Sequence, residues 1–203
     1  MPVKFSLSGV QWISPLLGLI IGPMAAVTSQ LLTVEEFRKL PQDQGPVYHE
    51  LRHGELVAVT RPKFQHPLIQ RTVRRLLEEL ADPASFVDLE VPFRPLPEHE
   101  LWTADVAYLS PARFAQVDTE DNIRGAPDLV IEVLSPSNTV AEMNDRERIC
   151  LENGAKEFWV IDRKQGQVKV STPDGHTTTW RRGQRIPLPL FGDAALAVDA
   201  IFS

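Results

Sequence analysis

The fold is decided by a stretch beyond the middle of the chain, which reads Ala126-Pro-Asp-Leu-Val-Ile-Glu-Val-Leu-Ser-Pro-Ser-Asn-Thr139. Its Val- and Ile-rich centre lies between Pro127 and Pro136, as is typical of a short buried strand. Side chains alternate along a strand, so Asp128 and Glu132 share one face, roughly 13 Å apart at about 3.3 Å per residue. A carboxylate inside an apolar strand is costly to bury without a partner. Two interpretations are open for Glu132: a solvent-facing or salt-bridged residue, or part of a functional site.

Composition is that of an ordinary soluble protein. A chain of 203 residues suits one domain with a sizeable core, with room for an appendage. The formal net charge of -6 gives no overall attraction to nucleic acid, so such binding would need a local basic patch. Cys150 is the one cysteine, which excludes an internal disulfide and a cysteine-based zinc site. It fits a reducing compartment, and we expect a cytoplasmic protein.

Residues 1–30 differ from the rest of the chain. The segment from Val10 to Val27 is apolar apart from Gln11 and Ser14, but prolines and glycines interrupt it. It lies near the lower length limit for a membrane span. Three interpretations are open: a disordered extension or misassigned start, a signal or anchor, and an extra packed segment. We expect the main domain to cover residues 31–203 and to have no membrane span.

The remainder predicts a mixed sheet flanked by helices, the α/β class. Thr33 and Glu36 form a capping box before a short helix, and a hairpin turns at Gly54. Longer helices are expected at residues 68–80 and 140–153, the second capped by Asn138 or Thr139. The expected strands cover residues 86–93, 101–109, 128–134 and 157–162, followed by a two-stranded C-terminal β-ribbon at 168–180 and a final Ala-rich strand.

Carboxylates on neighbouring strands carry the chemistry that the sequence leaves open. The chain has no Gly-rich phosphate loop after a strand, no HExxH motif and no GxSxG motif. Asp105 also lies in mid-strand among apolar residues, so it would meet Glu132 if the two strands pair. Carboxylate oxygens completed by water and phosphate suit Mg²⁺ or Mn²⁺. Such an ion can activate a water molecule that attacks a phosphodiester.

A basic cluster lies on the first long helix, outside its apolar stripe. It consists of Arg71, Arg74 and Arg75. These arginines form either a solvated helix face or a set of contacts to DNA phosphates.

The block PDLVIEVLSPSNT, followed by a helix and by ENGAKEFWVID, resembles the Uma-two type of restriction endonuclease, as does the segment from Tyr48 to Val57. The resemblance spans about Leu32 to Phe202. This family is placed in the PD-(D/E)xK nuclease superfamily, so the resemblance implies a restriction-endonuclease-like fold with a mixed sheet between helices. It also implies DNA cleavage that depends on Mg²⁺ or Mn²⁺. By analogy, cleavage of both DNA strands would need a homodimer.

The resemblance assigns catalytic roles to individual residues. Asp105 matches the family's first metal-binding aspartate, and Glu132 matches the acidic residue of the (D/E)xK element. Asp128 matches the aspartate that opens the same strand. The lysine expected two residues after the glutamate is absent, since Leu134 stands there. In this family the lysine lies on the following helix, where this chain has Arg146.

Arg146 departs from the family pattern. Arginine keeps the positive charge and can bind phosphate through two donors, but its pKa above about 12 prevents proton transfer. Helical spacing would also permit an ordinary ion pair between Glu142 and Arg146. The resemblance also makes Glu50 and His66 secondary candidates: Glu50 as an extra metal-facing acid, and His66 as a residue that either contacts the site or caps a helix. The alternative to a nuclease is a catalytically impaired nuclease fold that binds DNA or a protein.

Overall fold

The structure is a computed structural model that describes residues 31–41, 47–60 and 64–203. The expectations for residues 1–30 concern a segment outside these ranges. Residues Leu31–Ser203 gather into one compact unit. Within the described ranges, no helix is both long enough and apolar enough to cross a membrane.

The elements follow one another as the patterning predicts, with a few additions. The strands are β1 (Val47–Arg52), β2 (Glu55–Thr60), β3 (Phe86–Arg94), β4 (Trp102–Leu109), β5 (Ile123–Arg124), β6 (Leu129–Val133), β7 (Glu157–Asp162), β8 (Gln167–Ser171), β9 (Thr177–Arg181), β10 (Arg185–Pro187) and β11 (Ala195–Ala197). The helices are α1 (Val34–Phe37), α2 (Gln65–Glu78), α3 (Pro111–Phe114), α4 (Val140–Glu152) and α5 (Val198–Ile201).

The central sheet has seven strands in the order β5-β3-β4-β6-β7-β8-β9. Strand β6 pairs in parallel with β7 and antiparallel with β4, so it lies in the middle of the sheet. Every residue of β6 is buried. Glu132 is therefore not a solvent-facing residue at a sheet edge. The predicted α/β class, with a mixed sheet flanked by helices, is confirmed.

The C-terminal part and one helix start differ from the sequence prediction. Strands β8 and β9 do not form a separate ribbon, because they continue the central sheet beyond β7. The Ala-rich end holds the short β11, which pairs with β10, and then α5. Helix α2 begins at Gln65 rather than Leu68. Pro67 then lies in the first turn, where its missing N–H costs no helical hydrogen bond.

Local sequence signals determine where α1 and α4 begin, where α4 ends and where the first hairpin turns. Capping boxes form at Thr33 in α1 and at Thr139 in α4, each with a glutamate three residues on. The hairpin between β1 and β2 turns through His53 and Gly54, with φ angles of 50° and 72°. Positive φ at both residues is what a type I′ turn requires. Gly154 ends α4 with a φ of 117°.

Two apolar clusters cover the two faces of the sheet. On one face, Ile131 of β6 lies in a cluster with Val73 of α2 and with residues of α5. On the other face, Val130 lies in a cluster with Ile149 of α4. Since side chains alternate along β6, Glu132 points to the α4 side.

The side chains of strands β3 and β4 switch from one face of the sheet to the other at paired positions. Val106 belongs to the cluster under α2 and Ala104 to the cluster under α4, although residues two apart on a regular strand share a face. Leu89 and Val91, which pair with them, change in the same way. Between these two, Glu90 has a φ of 50°, which is uncommon for a residue with a side chain. Such irregularities reorient side chains beside functional sites.

Candidate active site

A small pocket of about 70 Å³ lies at the carboxyl end of β6, where the β1–β2 hairpin, β4, α2 and α4 meet. Its walls include Glu50, Arg52, His66, Thr103, Asp105, Glu132 and Arg146. The structure therefore brings together five candidates that lie far apart in the sequence. It does not bring Asp128 or the arginines of α2 into this pocket.

Asp105 sits where β4 changes faces, and three groups contact its carboxylate: the Val133 N–H, the Gln70 amide and His66. Oδ2 accepts a hydrogen bond from the backbone N–H of Val133 at 2.7 Å, and Oδ1 accepts one from the Gln70 amide at 2.8 Å. The β4–β6 register pairs Val106 with Ile131, so Asp105 comes level with Glu132 one residue further on. These contacts fix the Asp105 carboxylate at the end of β6.

His66, in the first turn of α2, contacts the same carboxylate. Its Nε2 lies 3.1 Å from Oδ2 of Asp105 and 2.9 Å from the carbonyl oxygen of Val133. A carbonyl can only accept, so Nε2 carries the proton. Burial lowers the pKa of His66, but hydrogen bonding to Asp105 outweighs burial and raises it above the ordinary value. His66 thus positions Asp105 and adds positive potential to the pocket.

Glu132 is buried, with an exposed fraction of 9%. Burial in this apolar setting raises the pKa of its carboxyl to about 8, although the nearby Arg146 acts in the opposite direction. The negative charges of Asp105 and Glu50 add to the upward shift. A carboxylate in this state binds a proton or a cation far more readily than an exposed glutamate does.

Arg146 is the cation that the helix α4 supplies to these acids. Its Nε donates to Oε1 of Glu132 at 2.8 Å, and Nη1 donates to Oε2 of Glu50 at 3.1 Å. Nη2 donates to the carbonyl oxygen of Thr103. The guanidinium carbon lies 5.0 Å from the centroid of the Trp102 ring, a cation–π contact. Burial disfavours the charge, but Glu132 and Glu50 outweigh it, so the pKa of Arg146 lies above its usual range.

The ordinary helix ion pair between Glu142 and Arg146 does not describe the site. Glu142 accepts hydrogen bonds from Thr139 in the capping box, and it lies 3.5 Å from Nη1 of Arg52. Glu142 therefore has its own partners at the start of α4, while Arg146 serves the buried acids.

Glu50 reaches the pocket through the docking of the hairpin. Backbone hydrogen bonds of 3.1 and 2.9 Å between Leu51 and Leu101 tie β1 to the start of β4. Oε1 of Glu50 then accepts from the Thr103 N–H at 2.8 Å, and Oε2 lies 2.8 Å from Nη2 of Arg52. Burial raises the pKa of Glu50, but Arg146 and Arg52 more than offset this, so the net shift is downward. Glu50 is ionised and its charge is balanced.

The donor set suits Mg²⁺ better than a metal that needs many protein ligands. Among the described residues, no group of three or more His, Cys, Asp and Glu side chains gathers at metal-binding spacing. Asp105 and Glu132, however, line one pocket and supply two carboxylates. Mg²⁺ commonly binds one or two carboxylates and takes its remaining ligands from water and substrate phosphate. Burial and the charges of Asp105 and Glu50 keep the pKa of Glu132 raised even though Arg146 lies beside it, and a bound cation would offset that shift.

Asp128 lies at the opposite end of β6. Oδ2 accepts hydrogen bonds from the backbone N–H and the hydroxyl of Ser110, both at 2.8 Å. Nζ of Lys156 lies 3.3 Å from Oδ1. Burial raises the pKa of Asp128, but the bonds to Ser110 and Lys156 bring it below its ordinary value. Asp128 therefore anchors the start of α3 to β6 and β7.

The α2 arginines lie on a face that is rich in ion pairs. Arg74 contacts Glu78 at 2.8 Å and Asp88 at 3.2 Å, and Arg75 contacts Glu79 at 2.7 Å. Arg71 is exposed on the same helix. Their proposed contacts to DNA phosphates stay a prediction.

Sequence reasoning missed three residues of the site. Gln70 is a buried amide that orients Asp105, and its place within the apolar stripe of α2 was the available signal. Arg52 balances Glu50, but its sequence surroundings resemble any surface arginine. Tyr48 also lines the pocket, where burial and the Glu50 charge raise its pKa.

Comparison with known proteins agrees with this fold. A family model named Uma2 and described as "Putative restriction endonuclease" matches residues 34–199. A crystal structure of a putative nuclease from Anabaena variabilis has a similar fold, with a TM-score of 0.71 and 22% sequence identity over 84% of this chain and 97% of that chain. No curated protein matches the chain. Because the family model covers well over half of the sequence, the chain belongs to the Uma2 family of putative restriction endonucleases.

Proposed function

We propose that this protein is a Mg²⁺- or Mn²⁺-dependent endonuclease that hydrolyses phosphodiester bonds in DNA. The observation that carries the proposal is the convergence of Asp105 and Glu132 in one pocket with a buried arginine beside them. Membership of a nuclease-like family supports the reaction class. The metal, the DNA substrate and the residue roles are our inference from the site.

In this proposal, Asp105 and Glu132 hold the divalent ion. When bound, such an ion polarises the phosphodiester and activates a water molecule. Gln70 and the Val133 N–H keep the Asp105 carboxylate in place, so the ligand is preorganised. Three further groups orient the acids of the pocket or balance their charge: His66, Arg52 and Arg146.

Arg146 supplies charge and not proton transfer. Its guanidinium stays protonated at any pH at which the protein is folded. It can stabilise the negative charge that builds on phosphate during hydrolysis. Glu132 lines the same pocket and can exchange a proton near neutral pH, since burial raises its pKa to about 8.

Plasmid nicking tests the proposal. Purified protein should relax supercoiled plasmid with Mg²⁺ or Mn²⁺ and should stop when EDTA is added. Asp105→Ala should abolish nicking, whereas Asp88→Ala, on the neighbouring strand β3 and half exposed, should nick at the wild-type rate. Nicking by Asp105→Ala at the wild-type rate would reject the assignment.

Cleavage of both strands would need two such sites, so we propose that the active form is a homodimer. Light scattering coupled to size-exclusion chromatography measures this directly. A monomer that still makes double-strand breaks in a single binding event would reject it.

Location in the cytoplasm is part of the same proposal, and fractionation of cells that produce the tagged chain tests it.

A second candidate function is a catalytically impaired nuclease fold that binds DNA or a protein. The observation that favours it is that Arg146 already neutralises Glu132 and Glu50. Arg146→Lys separates the candidates, because lysine restores a group that can lose its proton. A large gain of nicking from an inactive parent would indicate an intact but impaired site. Metal-independent DNA binding without cleavage in both forms would support the binding function.

A further inference from the structure

A second cavity, of about 590 Å³, opens directly beside the carboxylate pocket. The two share Thr60, His66, Val133, Ser135 and Ser137 as lining residues. A molecule in the larger cavity would therefore adjoin the atoms that hold Asp105. Its volume lies within the range of small-molecule sites, which is about 300–1,000 Å³.

The lining of this cavity is largely apolar, and its charged part holds two cations, Arg163 and Lys164, beside one acid, Asp162. Ile69, Leu134 and Pro136 contribute apolar surface. Arg163 and Lys164, on the turn between β7 and β8, contribute two exposed cations. Such a combination suits a ligand with one flat apolar part and one anionic part.

Arg163 also contacts the first residue of α2. Its Nη1 donates to the side-chain oxygen of Gln65, which also lines the cavity. This contact ties the guanidinium to the start of α2. An anionic group that enters the cavity would meet a charge that is already in position.

Phe64 is an exposed aromatic residue next in sequence to Gln65, which lines the cavity. It is the N-cap residue of α2, directly before Gln65, and 77% of its surface is accessible. Exposing a phenylalanine to this degree contributes nothing to the apolar core. Aromatic rings beside basic grooves bind single-stranded nucleic acid by stacking on its bases, whatever the sequence.

We propose that this cavity binds an unpaired nucleotide of the DNA strand that is cut, with its base against the apolar wall and Phe64 and its phosphate at Lys164 and Arg163. A base inside a continuous duplex is stacked and paired, so it would have to leave the helix to enter. The preferred substrate is therefore DNA with a single-stranded segment at the cleavage point. This inference rests on the proposed nuclease function for the identity of the ligand.

Binding of fluorescent oligonucleotides tests the inference in the full-length protein. EDTA keeps the DNA intact, so anisotropy reports affinity alone. The probes are a short single strand, a blunt duplex of the same sequence, and a single strand that carries 2-aminopurine. The variants are Phe64→Ala and Lys164→Ala, with matched controls Leu56→Ala, a partly exposed apolar residue on β2, and Lys39→Ala, an exposed lysine after α1.

The wild-type protein should bind the single strand at least about tenfold more tightly than the duplex. Phe64→Ala should weaken single-strand binding by about tenfold, which is within the range for one base–aromatic stack. Stacking on Phe64 should quench the fluorescence of 2-aminopurine in the wild-type complex, and Phe64→Ala should remove this quenching. Lys164→Ala should lower the slope of log affinity against log salt by about 0.7, as expected for one lost phosphate contact. Both controls should match the wild type.

Two results would overturn the inference: a duplex that binds as tightly as the single strand, or a Phe64→Ala variant that binds the single strand as the wild type does. Failure of the nuclease proposal looks different. If nicking is absent with Mg²⁺ and Mn²⁺ while the Phe64 effect persists, the cavity still binds unpaired DNA and the catalytic assignment is wrong. If nicking occurs without the Phe64 effect, the cavity assignment alone is wrong.

Discussion

Replacing Arg146 with methionine tests whether its guanidinium holds the buried acids of the site. Arg146 donates at 2.8 Å to Glu132 and at 3.1 Å to Glu50, with a further bond to the Thr103 carbonyl. Its exposed fraction is 7%. Methionine keeps a long flexible side chain that can still pack on Trp102, but it removes every donor.

The expected loss follows from the acids that are left behind. Removing one partner of a buried ion pair costs about 3–5 kcal/mol. Glu50 keeps Arg52 at 2.8 Å, and Glu132 can retain a proton because its pKa is already raised to about 8. Both effects favour the lower figure, so we expect about 3 kcal/mol at neutral pH. At roughly 2–4 °C per kcal/mol for a domain of this size, Tm should fall by about 6–12 °C.

Urea denaturation of the variant measures this loss, and Arg148→Met is the matched control. Arg148 lies on the same helix with 55% of its side chain exposed, and it pairs with Asp145 and Glu152 on the surface. Exposed pairs contribute about 0–1 kcal/mol. In Arg146→Met, the further change Glu132→Gln should recover part of the stability, because a neutral amide needs no cation. Equal losses for the two arginine variants would refute the reasoning.

Three further outcomes are expected. Gln70→Leu should slow nicking about tenfold with little change in circular dichroism, because the Asp105 carboxylate loses its 2.8 Å amide donor; an unchanged rate would exclude this positioning role. Folded Glu132 binds a proton up to about pH 8 while an unfolded glutamate releases it near 4.5, so wild-type stability should decline as pH rises between these values. Thermal melts of Glu132→Gln should show a smaller decline, because only the contribution of Glu132 is removed while that of His66 remains, and parallel curves would contradict the shift. Thr139→Ala should cost about 1 kcal/mol by removing the cap of α4, more than Thr33→Ala at the single-turn α1.

Local sequence patterns predicted the parts of the fold that depend on neighbours in the chain. The buried strand at β6, the capping boxes at Thr33 and Thr139 and the hairpin at Gly54 are all confirmed. Each depends on residues within about four positions of one another, where alternation, caps and turns operate. The meeting of Asp105 and Glu132 was predicted on the condition that their strands pair, and β4 does pair with β6.

The orientation of Asp105 could not be predicted in this way. It depends on the simultaneous change of face in β3 and β4, which involves a positive φ at Glu90. Glu90 itself is neither glycine nor asparagine, the residues that usually signal a positive φ, and Pro92 two positions later does not indicate a change of face in both strands. Gln70, which holds Asp105, is likewise a partner that only the packing of α2 on the sheet reveals.

Asp128 was a catalytic candidate through the family resemblance alone. Strand alternation put it on the face of Glu132 but roughly 13 Å away, at about 3.3 Å per residue. Asp128 is taken up by Ser110 and Lys156. For Arg146, the sequence did not show which face of α4 meets the sheet, so helical spacing also permitted a pair with Glu142. The buried residues Met143, Arg146 and Ile149 identify that face in the structure.

The most direct test of the central claim is a calorimetric titration of Mn²⁺ into the wild-type protein and into Asp105→Asn, Glu132→Gln and Asp128→Asn. We predict that the wild type and Asp128→Asn bind Mn²⁺ with the same affinity, because Asp128 lies at the far end of β6 with its own partners. Asp105→Asn and Glu132→Gln should each lose this binding while they stay folded. Equal Mn²⁺ affinity in all four proteins would contradict a metal site formed by Asp105 and Glu132.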